Sequence, residues 1–391
     1  MAPSHSTIAL DPLGSVVALL IGFALFAAPF VTYRANRIVS GEARMLVEAL
    51  PAILAILVVA VSLGIAIGAA LIRDPLIRLA AAAVGLAVVF PAVGMCAGFL
   101  TPVGNTFARV SPSLGFWLLV LAFGLLTADS LTRLRLGPWV RLAALAGGAG
   151  AVALLLLSGA WNDLSILKEY ATRVDSFWRE ARQHLYLAFG SLAAACCVGL
   201  PLGILCHRIR FLRTVVLQVL NILQTVPSIA LFGILMVPLG IIAAHVPFAA
   251  ALGIRGIGTA PALIALFLYA LLPVVANTVA GLKQVPAPVV DAARGMGLSR
   301  RRRLLEIELP LALPVILAGI RIVLVQNLGL ATVAALIGGG GFGIFVFQGI
   351  GQTAIDLVLL GAIPTVALSF AAAVILDVLI DLAKGRSHDR D

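Results

Sequence analysis

Residues 285–314 read V-P-A-P-V-V-D-A-A-R-G-M-G-L-S-R-R-R-R-L-L-E-I-E-L-P-L-A-L-P, a polar, strongly basic and still patterned interruption between two apolar runs. Val289, Ala292, Ala293 and Met296 recur at helical spacing and predict a short helix with one apolar face. Gly297 permits a sharp turn, and Ser299 is placed to cap a second short helix through Leu304, Leu305, Ile307 and Leu309. The run Arg300 to Arg303 is too costly to place in hydrocarbon, so the segment lies on the cytoplasmic membrane surface. There an amphipathic helical hairpin covers the ends of neighbouring spans, rests on anionic headgroups, or enters a groove on a soluble partner.

Outward from this stretch the chain is apolar. Of 391 residues, 62% are hydrophobic and 11% charged, and the mean hydropathy is +1.13, outside the range of soluble domains. The net charge of +10 sits in short loops between apolar runs, where it sets orientation, so no nucleic-acid role is needed. Runs of about 20 apolar residues lie near 13–33, 51–72, 76–100, 114–132, 140–160, 184–206, 214–237, 260–282, 314–337 and 355–380, the seventh with a bend at Pro227. The expected fold is an all-α integral membrane protein, a polytopic helix bundle of about ten spans. The N-terminus lacks the positive region of a cleavable signal peptide, so the first run is expected to remain as a span.

With the basic loop inside, the remaining basic residues divide about two to one in favour of the cytoplasm, and both termini face inward. The inner group includes Arg73, Arg78, Arg133, Arg208, Arg213, Lys283 and Arg390; the outer includes Arg34, Arg37, Arg109, Arg173 and Arg179. Residues 1–160 then form one membrane region, 161–182 an external amphipathic linker carrying Tyr170, Phe177 and Trp178, 183–383 a second membrane region containing the basic loop 285–313, and 384–391 a cytoplasmic tail.

Asp291, Ala292, Ala293, Gly297, Ile307, Leu309 and Pro310 resemble, with its spacing kept, the E-A-A, Gly, I-x-L-P signature of permease subunits of bacterial ATP-binding-cassette importers, with Asp in place of the usual Glu. Q-H-L-Y-L-A-F-G-S at 183–191, Q-T-V-P-S-I-A-L-F-G at 224–233, A-G-I-R-I at 318–322 and A-A-L-I-G-G-G-G-F-G at 334–343 are similar to the branch that imports quaternary-ammonium osmoprotectants such as glycine betaine and choline. The resemblance covers roughly residues 183–383, a MetI-like importer core, and leaves the first half without a matching motif. It implies that the loop is a coupling helix docked in a cytoplasmic ATPase dimer, which binds ATP and Mg. It further implies an extracytoplasmic substrate-binding protein, whose aromatic faces suit a quaternary ammonium, and a second permease chain, identical or different, in the bacterial cytoplasmic membrane among its lipids. A permease for another small solute is the neighbouring alternative.

Polar side chains within spans are candidates for a translocation path or for ties between helices. Asn221, Gln224, Thr225 and Ser228 surround Pro227; Asn277 lies in the next span, and Gln326 and Asn327 in the one after the loop. Gly338, Gly339, Gly340, Gly341 and Gly343 suit a bent external segment and a candidate outer gate. Arg321 is expected to snorkel or to meet a helix end, and Asp129, Asp356 and Asp377 to sit at interfaces or caps. His184, His207 and His245 each stand alone, and Cys96, Cys196, Cys197 and Cys206 show no metal-ligand spacing. No catalytic constellation, metal cluster or P-loop can be assembled, so nucleotide chemistry falls to another polypeptide. An ion-coupled carrier built from two halves is disfavoured because residues 1–160 hold no counterpart of the basic loop.

Overall fold

The computed structural model describes residues 11–36, 39–102, 104–105, 107–251 and 253–388. The first ten residues, Arg37 and Arg390 with the end of the 384–391 tail, which entered the orientation argument, lie outside them. The chain forms two compact units, Met1–Gly137 with Ala146–Thr172, and Pro138–Leu145 with Arg173–Asp391. Among the described residues nine helices are long and apolar enough to cross a membrane, and Pro12–Phe26 is a shorter apolar helix.

In the first unit, α1 (Pro12–Phe26) leads to strands β1 (Val31–Arg34) and β2 (Glu42–Arg44), a turn of helix α2 (Leu46–Ala49), and the spans α3 (Ala52–Leu71) and α4 (Pro75–Leu100). Strand β3 (Arg109–Pro112) precedes α5 (Leu114–Leu134), and the short α7 (Ser165–Ala171) ends the unit; α6 (Pro138–Leu157) is divided between the two units. The run expected as a span at 13–33 therefore stops at Phe26, because 31–34 pair as the central strand of an antiparallel sheet of order β2-β1-β3. Its register sets Val31 against Arg44 and against Pro112. Phe30, Phe90 and Phe116 meet edge to face, Trp161 stacks on Phe90, and the Trp161 indole N–H donates to the Phe90 carbonyl at 2.8 Å.

One charged cluster is buried in this unit. Arg78, 1% exposed, donates to the carbonyls of Ile72 (2.6 Å) and Ala69 (2.8 Å) and pairs with Asp11 (2.9 Å) and Asp129 (3.3 Å). Arg133 lies 2.8 Å from Asp129 and 3.8 Å from Asp11, so two cations face two anions. Asp129, expected at a span end, is thus a partner of two arginines. Asp11 caps α1, and the Gly14 N–H holds its carboxyl below the usual carboxylate range, against burial and with help from Arg78. A lowered value means the contribution is complete at neutral pH and is lost only as pH falls through that value.

In the second unit, α8 (Val174–Arg208) is followed by α9 (Arg210–Thr225), α10 (Ser228–His245), α11 (Pro247–Ala251) and α12 (Thr259–Gln284). Then come α13 (Ala287–Gly295), α14 (Arg300–Arg303), a π turn (Leu304–Glu308), α15 (Leu309–Val333), a 3-10 turn (Ala334–Ile337), α16 (Gly343–Gly351) and α17 (Ile355–His388). Helices α8, α12 and α15 pack on one another, and α15 also packs on α17. The run expected as one span at 214–237 is two helices. Pro227 disfavours helical backbone at Val226, which is extended at ψ 126°, so α9 ends there and only α10 is long enough to span. Within the expected linker 161–182, α7 is followed by the boundary between the two units at Thr172, and from Val174 onward the segment is the first part of α8.

Removing Arg78 leaves the buried Asp11 and the partly buried Asp129 facing a single, partly exposed arginine. Arg78→Met is expected to cost about 3–5 kcal/mol, read as a fall in the thermal unfolding midpoint of the detergent-solubilised protein, with Arg133→Met costing less because Arg133 is partly exposed.

Candidate functional site

Helix α13 begins after Pro286 and ends at a left-handed Gly297 (φ +78°). There the N–H groups of Gly297 and Leu298 bond the carbonyls of Arg294 (3.0 Å) and Ala293 (3.2 Å), a Schellman arrangement that a side chain at 297 would strain. The Ser299 hydroxyl accepts from Arg302 N–H at 3.4 Å and caps the next helix. That helix is not the second arm of a hairpin: from Arg300 the chain runs through the π turn into α15 as one helical segment to Ile337. Pro310 supplies the reason for the π turn. In an α-helix its ring would press on the carbonyl of Glu306, and the wider i→i+5 turn, closed by Leu309 N–H on Leu304 O, relieves that contact.

The apolar face of α13 is the open one. Ala293 is 1% exposed and packs inward, whereas Val289 is 40% and Met296 72% exposed. Ala292 is exposed, and so are Asp291 and Arg294, which pair across one turn at 3.3 Å. Arg300, Arg301 and Arg302 add exposed positive charge, while Ile307 and Leu309 are half-buried and Pro310 exposed. Leu304 and Leu309 pack against Leu282, Ala312 and Ile316.

The candidate path residues fall into two groups. Gln224 donates to the Tyr269 carbonyl (2.8 Å) and the Tyr269 hydroxyl donates to the Val226 carbonyl, so the break at Pro227 is tied to α12. Asn327, buried, donates to the Ser191 hydroxyl at 2.8 Å and ties α15 to α8. Asn277 donates to its own helix at Pro273 O, 2.8 Å, with its side chain against Gly319 of α15. Thr225 bonds its own helix at Ile222 O, 2.6 Å. Asn221 is exposed, and Ser228 and Gln326 are half-buried. Arg321 pairs with Asp377 of α17, a partner that the sequence alone does not name for either residue.

The glycine run forms a tight turn between α15 and α16, with Gly338, Gly340 and Gly341 left-handed. The first part of α8 grips it. The buried Glu180 carboxylate accepts from Gly341 N–H at 2.9 Å. Gln183 Nε2 donates to Gly339 O (2.8 Å) and to the Thr259 hydroxyl (3.0 Å), and His184, fully buried, packs against Phe342 with ring centroids 5.0 Å apart. A Cβ at Gly340 would lie 2.7 Å from Gln183 Cγ. Gly339 packs on Ala334 and Gly343 on Thr332 of the preceding segment. Glu180 carries no mark in the sequence: it sits among Arg179 and Arg182 and its partner is 161 positions away.

A second unit of spans crossed by buried polar ties, with a basic, apolar-faced knuckle left open between two of them, defines a membrane permease subunit. The chain belongs to the family of binding-protein-dependent transport system inner membrane components, whose model matches residues 199–386; the model of the ABC transporter permease YehY N-terminal domain matches residues 11–167. It is 41% identical over 198 residues to the osmoprotectant import permease protein OsmW of Salmonella typhimurium, covering 51% of this chain and 85% of that protein. It is 38% identical over 208 residues to the carnitine transport permease protein OpuCB of Listeria monocytogenes, covering 53% and 84%. Among solved structures it is similar to a chain of the inward-facing MetNI methionine ABC transporter, at 22% identity and a TM-score of 0.45, over 54% of this chain and 95% of that one. The protein is a multi-pass inner-membrane permease subunit of a binding-protein-dependent ABC importer.

Glu180→Ala leaves the Gly341 N–H buried without an acceptor. It is expected to cost about 1–3 kcal/mol and to speed thiol labelling of a cysteine placed at Gly338, whereas Asn327→Ala, which removes one tie between spans, is expected to cost about 0.6–1.7 kcal/mol, both read from unfolding in detergent.

Proposed function

We propose that this chain is the membrane gate of an ATP-driven importer for a small quaternary-ammonium osmoprotectant, of the glycine betaine, carnitine and choline class. A separate cytoplasmic ATPase pair moves it by gripping α13. The observation that carries the coupling is the open apolar face at Val289 and Met296, flanked by unburied arginines, on a helix too short to be stable without packing. The substrate class follows the names of the relatives, which include an osmoprotectant, a carnitine and a choline permease. With no G-x-x-x-x-G-K-[ST] sequence in the chain, ATP and Mg belong to the ATPase.

In this reading an extracytoplasmic binding protein delivers the solute to the outer side, where the glycine turn acts as the gate, and two permease chains enclose the path. Both termini and α13 face the cytoplasm. Residues around the Pro227 break, Asn221, Thr225 and Ser228, with Gln326, offer polar groups to the passage; Gln224, Asn277 and Asn327 hold its walls. The chain does no covalent chemistry. ATP and the loaded binding protein each favour one of two conformations, and the difference in their affinities for the two drives the alternation.

The test is reconstitution in proteoliposomes with the ATPase and the binding protein, scoring ATP-driven uptake of labelled glycine betaine, carnitine and choline against methionine. Val289→Asp with Met296→Asp is expected to lower co-purification of the ATPase at least about tenfold, since each places a charge in a desolvated contact, while the permease itself purifies as before. Normal assembly and hydrolysis in that variant would remove α13 from the docking site.

A further inference from the structure

The π turn between the basic knuckle and α15 is crossed by an ionic triad whose inner pair, Arg303 and Glu308, is buried and whose third member, Arg208, is exposed. Arg303, just before the turn, is 6% exposed, and Glu308, at its end, is 5% exposed. Arg303 Nε donates to Glu308 Oε1 at 2.9 Å, and the other carboxylate oxygen accepts from Arg208 Nη2 at 3.4 Å. Arg208 belongs to the last turn of α8, one hundred positions away in sequence. One carboxylate therefore joins the loop to the first helix of the second unit.

The π turn is what makes the pairing geometrically available. Five residues of α-helix turn through about 500°, leaving side chains five apart about 140° from each other on the cylinder. The wider i→i+5 turn returns position 308 towards the face of position 303. A single π turn is also a place where the segment from Arg300 to Val333 can yield, because its hydrogen-bond ladder changes register there. Helix α13 packs on both the arginine turn and the π turn. A displacement applied to α13 thus reaches a joint that either flexes and absorbs it or is held stiff.

We propose that Glu308, through Arg303 and Arg208, is a positioning residue that stiffens this joint and ties it to α8, so that movement of the knuckle is delivered to the end of α8 instead of being lost in the π turn. The proposal rests on the coupling reading above, and it assigns to Arg208 no part in docking. It concerns residues outside the E-A-A, Gly, I-x-L-P positions: Glu308 stands at the unspecified x.

Two variants of the full chain, reconstituted with its ATPase and binding protein, test it with glycine betaine as the probe. Arg208→Gln cuts the tie to α8 and leaves the Arg303–Glu308 pair in place. R303M/E308L replaces the buried pair by apolar side chains, so that no unpaired charge is left inside. Both are expected to co-purify with the ATPase and hydrolyse ATP within about twofold of the parent, while glycine betaine moved per ATP falls at least about fivefold. A merely structural role would change yield and stability without changing that ratio. Parent-like transport per ATP in either variant overturns the proposal, and so does loss of ATPase assembly in Arg208→Gln, which would make Arg208 a docking residue. Absence of ATP-driven uptake by the parent itself would instead strike the importer reading.

Discussion

Hydrocarbon offers no hydrogen-bond partner, so a charge or amide carried into a span must be matched by the protein itself. The two units of this chain show that constraint in the same form. Arg78 is answered by Asp11, Asp129 and two carbonyls; Arg321 by Asp377; Arg141 by Asp381 at 2.9 Å; and Glu308 by two arginines. The amides follow the same rule, Asn327 on Ser191 and Gln224 on the Tyr269 carbonyl. Helix positions in both units are fixed by these pairs together with van der Waals packing, since lipid tails offer no solvent to drive apolar association.

Prolines act where the pairing rule meets helix geometry. Pro227 ends α9 and leaves Val226 extended, and the Tyr269 hydroxyl of α12 donates to the Val226 carbonyl, while Gln224 donates back to the Tyr269 carbonyl. Pro310 sits where a regular helix would clash, and the π turn that accommodates it also brings Glu308 round to Arg303. In each case the residue that breaks the ladder sits beside a tie to a neighbouring helix.

The sequence made the spans and the basic loop legible because both are local signals: long apolar runs, a left-handed glycine at 297, a capping serine at 299. The small sheet was hidden because its strands have three or four residues and pair across the chain, 31–34 with 109–112. The end of the 13–33 run is not legible because hydropathy is blind to a switch from helix to strand, whereas in the 214–237 run Pro227 marks a bend but not that the helix stops there. Arg321 and Asp377 stand alone in sequence, and only the fold brings them together; Asp129 has Arg133 one turn on, but its second partner, Arg78, is 51 positions away. Glu180 and Glu308 were missed for a further reason: an acid among arginines looks like local charge compensation, and nothing local shows that the carboxylate is buried. The family motif located the loop but said nothing about which neighbours hold it.

Helix α8 carries the grip on the glycine turn near one extremity and Arg208 at the other. At 1.5 Å per residue, the 28 positions from Glu180 to Arg208 span ~42 Å, more than the thickness of the hydrocarbon layer. With Pro201 as its one internal proline, this rod has few places to bend. Tilting a lever arm of that length by ~5° swings its far tip by ~4 Å, about the width of a methyl group, so a small rotation at the Arg208 end displaces the Glu180 end by an atom's breadth.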